Sequence, residues 1–329
     1  MATLATTHPT LADVASRLDP NGKVDKIVEI LNETNEILED MVWFEGNLPT
    51  GHVHPVRTGI PQPTWRKLYG GVQPTKSEVA KVTDSTGMLE AYSEVDKALA
   101  DLNGNTKGLR LSEDRAHIEG MGQEIAQTAL YGNEGTEPEA FTGFSPRFNS
   151  LSAANADNII DAGGTTNLTS VWMVVWGPGR AFGIYPKGSK AGIMHEDKGQ
   201  VTIEDIDGSG GRMEAYRSHY RWDAGLAVED WRYVVRIANV DYTALTKDAA
   251  TGADLVDLMT QALELVPNLS GRPAFYVPRV VRSFLRRQIR NANNVNINMS
   301  EVAGKRVLDF DGVPVRRVDA LTLAETRVT

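Results

Sequence analysis

Residues 216–241 read YRSHYRWDAGLAVEDWRYVVRIANVD, and their pattern organises the reading of the whole chain. The first part alternates with period two. Tyr216, Ser218, Tyr220 and Trp222 fall on one side of a strand, and Arg217, His219 and Arg221 on the other. Asp223-Ala224-Gly225 then interrupts the alternation as a turn or bulge would. A second β-rich run, Trp231 to Ile237, follows. A long strand pair with rings on one face and guanidinium groups on the other is too wide for the inside of one small core. The pattern predicts strands that present a surface.

Around this stretch lie 329 residues, enough for one large domain or two ordinary ones. Hydrophobic residues make up 41%, which argues against wholesale disorder. Cysteine is absent, which excludes disulfides, thiolate zinc sites and a cysteine nucleophile together and fits a reducing cytoplasm. No apolar run is long enough to span a membrane. The opening MATLATTHPTLADVASRL lacks the basic start and apolar stretch of a signal peptide. A net charge of −9 argues against tight general affinity for nucleic acid, which needs many phosphates neutralised. Mild acidity that keeps a chain in solution is the plainer reading of the same number.

In chain order, Thr10 to Leu18 suits a short capped helix, and Val24 to Val42 carries apolar residues at helical spacing. Gly46 to Thr86 differs in kind. It holds Pro49, Pro55, Pro61, Pro63 and Pro74 among four glycines after Gly46 and has no sustained helical period, only short β-like pieces at Trp65–Tyr69 and Val79–Thr83. A structureless loop of that length is unusual in a compact domain. A long hairpin reaching out from the body accounts for it better, with Trp65, Leu68 and Tyr69 covered by a neighbouring copy. Met88 to Leu102 then reads as a helix through Leu89, Tyr92, Val95, Leu99 and Leu102. A second helix runs from Ser112 to Tyr131, where Gly120 and Gly122 suggest close backbone approach. Farther on, Val171–Trp176 reads as a buried strand with Ala181–Tyr185 as its hairpin partner, and Val201–Ile206 as another strand. Helices are expected at Ala253–Val266 and from Arg279 to about Arg290, strands at Ala274–Val277, Arg306–Phe310 and Val313–Val318, and a polar loop across the asparagines 291–298.

Several motifs have a sharp and a plain reading. Gly177-Pro-Gly-Arg-Ala-Phe-Gly183 resembles a dinucleotide loop, but a strand rather than a helix follows it and Pro178 removes a donor, so a hairpin turn is expected. Asp205-Ile-Asp-Gly-Ser-Gly210 begins like a calcium loop, yet its twelfth position is Tyr216 rather than Glu, which favours a β-turn. His52 and His54 share a strand face without an evident third ligand. No acid/base pair or nucleophile motif is evident. Arg279, Arg282, Arg286, Arg287 and Arg290 make one side of their helix basic. Nucleic-acid contact, a solvated face, or salt bridges between copies are all open for it, and the last suits Arg over Lys.

Three phrases, GLAVEDWRYVVRIANVD (225–241), FDGVPVRRVDAL (310–321) and FTGFSPRFNS (141–150), resemble segments of tailed-bacteriophage major capsid proteins in the same order. The similarity is to the Hong Kong 97-type shell fold, closest to short-tailed phages of the epsilon-fifteen and Bordetella-phage type. It implies an α+β subunit with an N-terminal arm (1–45) and an extended β-hairpin loop (46–86). It further implies a peripheral domain (87–135 and 195–245, with a spine helix at 112–131 and a long β-hairpin) and an axial domain (136–194 and 246–329). The implied function is self-assembly into hexamers and pentamers of an icosahedral shell enclosing double-stranded DNA, without catalysis, cofactor or metal. Implied partners are other copies, a scaffolding protein, a portal and an outer cement protein, with packaged DNA held without sequence-specific binding. The implied location is the virion, after assembly in the host cytoplasm. Contacts between subunits are expected at Trp65, Leu68, Tyr69, Arg217, Arg221, Arg282 and Arg286. The rival readings are a metal-dependent hydrolase using His52, His54 and Asp205, and a nucleic-acid-binding module using the Arg279–Arg290 helix.

Overall fold

Leu168–Trp176 reads LTSVWMVVW, and all nine residues are buried. A run this rich in β-branched and aromatic side chains can be apolar on both faces only if both are covered. It is the centre of the fold. The computed structural model describes residues 33–104, 106–204, 210–246, 252–291, 297–302 and 305–329. Along the chain lie α1 (Ile37–Asp40), β1 (Trp43–Glu45), β2 (Gly51–Gly59), β3 (Glu78–Asp96), α2 (Lys97–Ala100), α3 (Thr106–Tyr131) and α4 (Phe144–Arg147). Next come β4 (Ile159–Asp161), β5 (Leu168–Trp176), β6 (Ala181–Tyr185), β7 (Met194–Glu204), β8 (Arg212–Val228) and β9 (Val234–Asp241). The chain continues through α5 (Leu255–Leu265), β10 (Arg272–Val277), α6 (Arg279–Asn291), β11 (Ile297–Val302), β12 (Lys305–Phe310) and β13 (Val313–Arg317). These elements divide into two compact units.

The larger unit takes Thr34–Gly87, Gln127–Ser189 and Ala224–Thr329. In it β5 lies antiparallel to β10 on one side and to β9 on the other. Strands β13, β12 and β11 continue the sheet beyond β10, and β4 continues it beyond β9. One face of β5, Val171, Met173 and Val175, packs with Leu255, Met259 and Ala262 of α5 and Val281 and Leu285 of α6. Helix α5 starts where Asp254 accepts the Val256 and Asp257 N–H groups and stops before Pro267, which cannot continue it. The opposite face sets Trp172 and Trp176 against Phe144, and Trp172 against Phe148. Several polar groups on this face pair internally, although the Trp172 indole N–H does not. The Trp176 indole donates to Tyr276 Oη at 2.7 Å, and Tyr276 donates to Asp40 at 3.1 Å. Arg236 and Glu325, with side chains 3% and 4% exposed, pair at 2.8 Å. Ser170 also bonds Glu325, and Tyr131 donates to its other oxygen at 2.5 Å.

The smaller unit includes Met88–Ala126 and Lys190–Asp223. Strands β7 and β8 form a long antiparallel ribbon in register from Met194↔Arg221 to Glu204↔Arg212. The register slips between Asp197 and Gly199, where Gly199 at φ 67° supplies the left-handed residue of a bulge. Val95, Ala100 and Leu109 form one core cluster of this unit, with Leu99 and Tyr216 against it.

Several expectations are corrected. Asp223-Ala224-Gly225 is no turn, because β8 runs straight through it. Gly225 is there for proximity: a Cβ would sit 2.6 Å from the Ser85 carbonyl oxygen. The partner of Tyr216–Trp222 is β7 rather than Trp231–Ile237, which contributes to β9 beside β5. Met88–Asp96 is strand, not helix. Leu89 and Val95 fit a helical stripe, but Leu89, Ala91, Ser93 and Val95 also alternate, and the alternating set is the more buried one. The helix that follows begins at Thr106 rather than Ser112, because Leu109 anchors an additional turn. Ala181–Tyr185 is not the hairpin partner of β5. It meets β5 only at Trp176↔Ala181 and pairs instead with β8 and β1. The turn expected at Gly177–Gly183 does connect these strands, with Arg180 N–H donating to the Gly177 carbonyl at 3.2 Å. No strand forms at Trp65–Tyr69, and helix near Val42 is limited to Ile37–Asp40. Of the asparagine stretch, Asn291 ends α6 and Ile297 opens β11. The Thr10–Leu18 helix, residues 24–32 of the Val24–Val42 helix and Asp205 lie outside the described residues.

Gly120 and Gly122 were expected to admit a close backbone, yet among the described residues a Cβ on either would meet nothing within 4 Å. Gly120→Ala and Gly122→Ala are therefore expected to stabilise the isolated subunit by about 1 kcal/mol each. Thermal melting of the two variants checks this, and a lower midpoint would contradict it.

Candidate functional site

The Pro/Gly-rich stretch forms an antiparallel hairpin, in register from Gly51↔Ser85 to Gly59↔Glu78. Beyond it, residues 60–77 adopt neither strand nor helix. Trp65 and Tyr69 are 103% and 104% exposed, and Leu68 is 86% exposed. A turn closes at Leu68–Tyr69, with Gly70 N–H donating to the Lys67 carbonyl at 3.0 Å and Tyr69 left-handed at φ 64°. Large apolar side chains held this far from any core find no cover within the described residues, unlike the scattered single exposures of ordinary surfaces.

The base of the hairpin is held firmly. Asp84 is buried and accepts from Arg147 at 2.7 Å and from the Val228 N–H at 3.3 Å. Arg147 also donates to the carbonyls of Gly143, Thr142 and Leu226. A planar guanidinium satisfies four acceptors from three segments here, which a Lys ammonium could not reproduce in one plane. Sequence reasoning missed this pair. Its only signal was Arg147 inside the phrase FTGFSPRFNS.

In the smaller unit β8 has two faces, as its alternation predicts. Tyr220 is 2% exposed and its hydroxyl bonds Asp114 of α3. Burial, then the Asp114 charge, pushes the Tyr220 hydroxyl up to about 12. Arg110 lies over the Tyr216 ring at 5.2 Å and pairs with Asp197 at 2.6 Å. On the other face the basic side chains meet β3. Arg217 pairs with Glu94 at 2.5 Å, His219 stacks on Tyr92 with centroids 4.5 Å apart, and Arg221 lies 2.8 Å from Asp223 and 3.7 Å from Glu90. Cross-strand pairs of this kind fix register.

Because the folded Tyr220 titrates above its ordinary value of 10.0, it contributes stability that is complete below pH 10 and is lost as pH rises toward 12. Tyr220→Phe is expected to lose about 1–3 kcal/mol near neutrality by leaving Asp114 short of a donor, and to flatten the alkaline decline. Melting curves from pH 8 to 12 on both proteins decide it; parallel declines would show that another group controls the alkaline limb.

On α6 the candidate arginines have unlike surroundings. Arg282 is half-buried 3.9 Å from Glu36, and burial lowers its basicity. Arg279 reaches Asp319 at 3.3 Å, Arg287 lies over Phe284 at 5.1 Å, and Arg286 is exposed. His52 and His54 come together with Glu229, which follows β8, while Asp205 lies outside the described residues. Among the described residues no helix is long and apolar enough to cross a membrane.

A braced projection with an uncovered aromatic tip, on a body whose other candidate charges mostly pair internally, defines a subunit built to be one of many copies. Residues 19–329 match the family described as Major capsid protein GP7, and the chain belongs to that family of shell-forming proteins. A chain in the structure of bacteriophage Epsilon15 is similar at 36% identity, over 100% of this chain and 99% of that one, with a TM-score of 0.79. The capsid of bacteriophage JBD30 is similar at 10% identity over 88% and 92% of the two chains, with a TM-score of 0.47. No curated protein matches. The Hong Kong 97-like α+β fold expected from the sequence is the fold found, whereas the hydrolase and nucleic-acid-module readings have no support.

Proposed function

We propose that copies of this chain assemble into hexamers and pentamers of an icosahedral virion shell around double-stranded DNA, by heterologous contacts that close on themselves. The observation that carries this reading is the braced hairpin whose tip turns Trp65, Leu68 and Tyr69 to solvent. On a neighbouring subunit those side chains gain the cover they lack at home. Arg217, Arg221, Arg282 and Arg286 are the further contact residues, with exposed Arg286 the most available of them. The domain scheme is an arm at 1–45, a loop at 46–86, a peripheral domain at 87–135 and 195–245, and an axial domain at 136–194 and 246–329. Assembly takes place in the host cytoplasm with a scaffolding protein, a portal and an outer cement protein, and the subunit has no catalytic role. A net charge of −9 keeps the shell from adhering to the genome it encloses.

Electron microscopy of the expressed protein tests the reading: closed particles or capsomer rings are expected, and uniformly small particles under all assembly conditions would overturn it. Arg286→Gln is expected to reduce particle yield several-fold while changing subunit stability by less than about 0.5 kcal/mol, as for an exposed surface position. Normal yield combined with reduced DNA retention would point to nucleic-acid contact instead.

A further inference from the structure

His52 and His54 stand two residues apart on β2, so their side chains share one face of the strand. Their rings lie with centroids 6.0 Å apart and 24° between planes. Glu229 closes the third side, its Oε1 3.1 Å from His52 Nε2. One donor atom from each of His52, His54 and Glu229 falls within 4.8 Å of the other two. Phe182 walls the cluster, its ring edge-on to His52 at 5.6 Å.

His54 is the unusual member. It is 5% exposed, and neither ring nitrogen has a hydrogen-bond partner. His52 Nδ1 is buried and unpartnered as well. Buried polar groups in native proteins are almost always satisfied, so an imidazole with both nitrogens idle points to something that completes it. Asp84 does not fill that role. It lies 3.7 Å from His54 Nδ1, beyond hydrogen-bond range, and is already engaged by Arg147 and the Val228 N–H. A carboxylate beside one nitrogen of a histidine is, however, the usual outer partner of an imidazole whose other nitrogen holds a metal.

We propose that His52, His54 and Glu229 bind a divalent first-row transition ion, Zn²⁺ in the first instance, with Asp84 orienting His54 from outside. Two imidazoles and a carboxylate are a borderline donor set of the kind Zn²⁺ takes, and they are poor for Ca²⁺ or Mg²⁺, which prefer oxygen alone. The role is structural. The ion joins β2, at the root of the hairpin, to the segment just after β8, and so stiffens the strand that leads to Trp65 and Tyr69.

The test uses the full-length subunit, stripped with chelator and titrated with Zn²⁺ or Co²⁺ alone. One equivalent is expected to bind, with the visible bands of four-coordinate Co²⁺ and a rise in melting temperature. His52→Ala and Glu229→Gln are expected to lose this binding by a factor of about 100 or more, whereas His117→Ala keeps it. Asp84→Asn is expected to weaken it by about 10–100-fold. X-ray absorption at the zinc edge of the wild-type subunit, which needs no variant to fold, is expected to show two imidazole nitrogens at about 2.0–2.1 Å. Absence of binding by the wild type, a shell of water oxygens alone, or unchanged binding in His52→Ala would each overturn the site.

Discussion

Glu325→Ala is expected to lower the stability of the isolated subunit by about 3–5 kcal/mol, since it leaves Arg236 buried without its counter-charge. The melting temperature should fall by on the order of 10 °C. Arg236 retains the Phe148 carbonyl at 2.8 Å, the Ser170 hydroxyl at 3.0 Å and the Trp172 ring at 5.0 Å, but none of these carries negative charge. Tyr131, held well above its ordinary range by burial and by Glu325, loses the acceptor of its hydroxyl in the same step. The double variant Arg236→Met with Glu325→Leu should recover part of the loss, because an apolar replacement of a whole buried pair is often tolerated. A Glu325→Ala subunit that melts with the wild type would sink the argument.

Excision of residues 60–77, with Gly59 and Glu78 rejoined through an Asn-Gly turn, is expected to abolish closed particles while leaving subunit melting within a few degrees of the wild type. Strand pairing ends at Gly59↔Glu78, so the cut removes no hydrogen-bonded register. What it removes is apolar surface that no other described residue of the chain covers. A Trp or Tyr side chain buries roughly 150–250 Å², and at about 25 cal/mol per Å² the tip supplies several kcal/mol per subunit on assembly. The paired measurements are thermal melting and particle yield. Shells formed at normal yield would remove the tip from the assembly mechanism; a collapsed melting curve would make it part of the body.

Much of this was legible in residue patterns. The alternation in Tyr216–Trp222, the unbroken apolar run Val171–Trp176 and the Pro/Gly-rich Gly46–Thr86 each had one physical explanation that survived folding. The misreadings have a common cause. Leu89 and Val95 satisfy a period of two as well as one of 3.6, and only the tertiary partners His219 and Arg217 decide in favour of strand. Gly225 looks like a turn residue because sequence cannot distinguish a glycine required for a bend from one required for a neighbouring carbonyl. The third member of the histidine cluster was hidden for a related reason. Glu229 stands far from His54 in sequence, and no local pattern announces that β8 ends beside β2. Arg147–Asp84 and Arg236–Glu325 escaped likewise, since burial of a charge leaves no local trace in composition.

The Arg236–Glu325 pair also imposes an order on synthesis. Ser170, Arg236 and Tyr131 are all translated well before the carboxylate they share. Until Glu325 clears the ribosome, the larger unit cannot bury Arg236 without a net charge in its interior, so the nascent chain remains loose there. A stalled polypeptide that ends ahead of residue 325 should be protease-sensitive around β9 and β5, and one whose Glu325 is carried clear of the ribosome by a fused linker should be resistant.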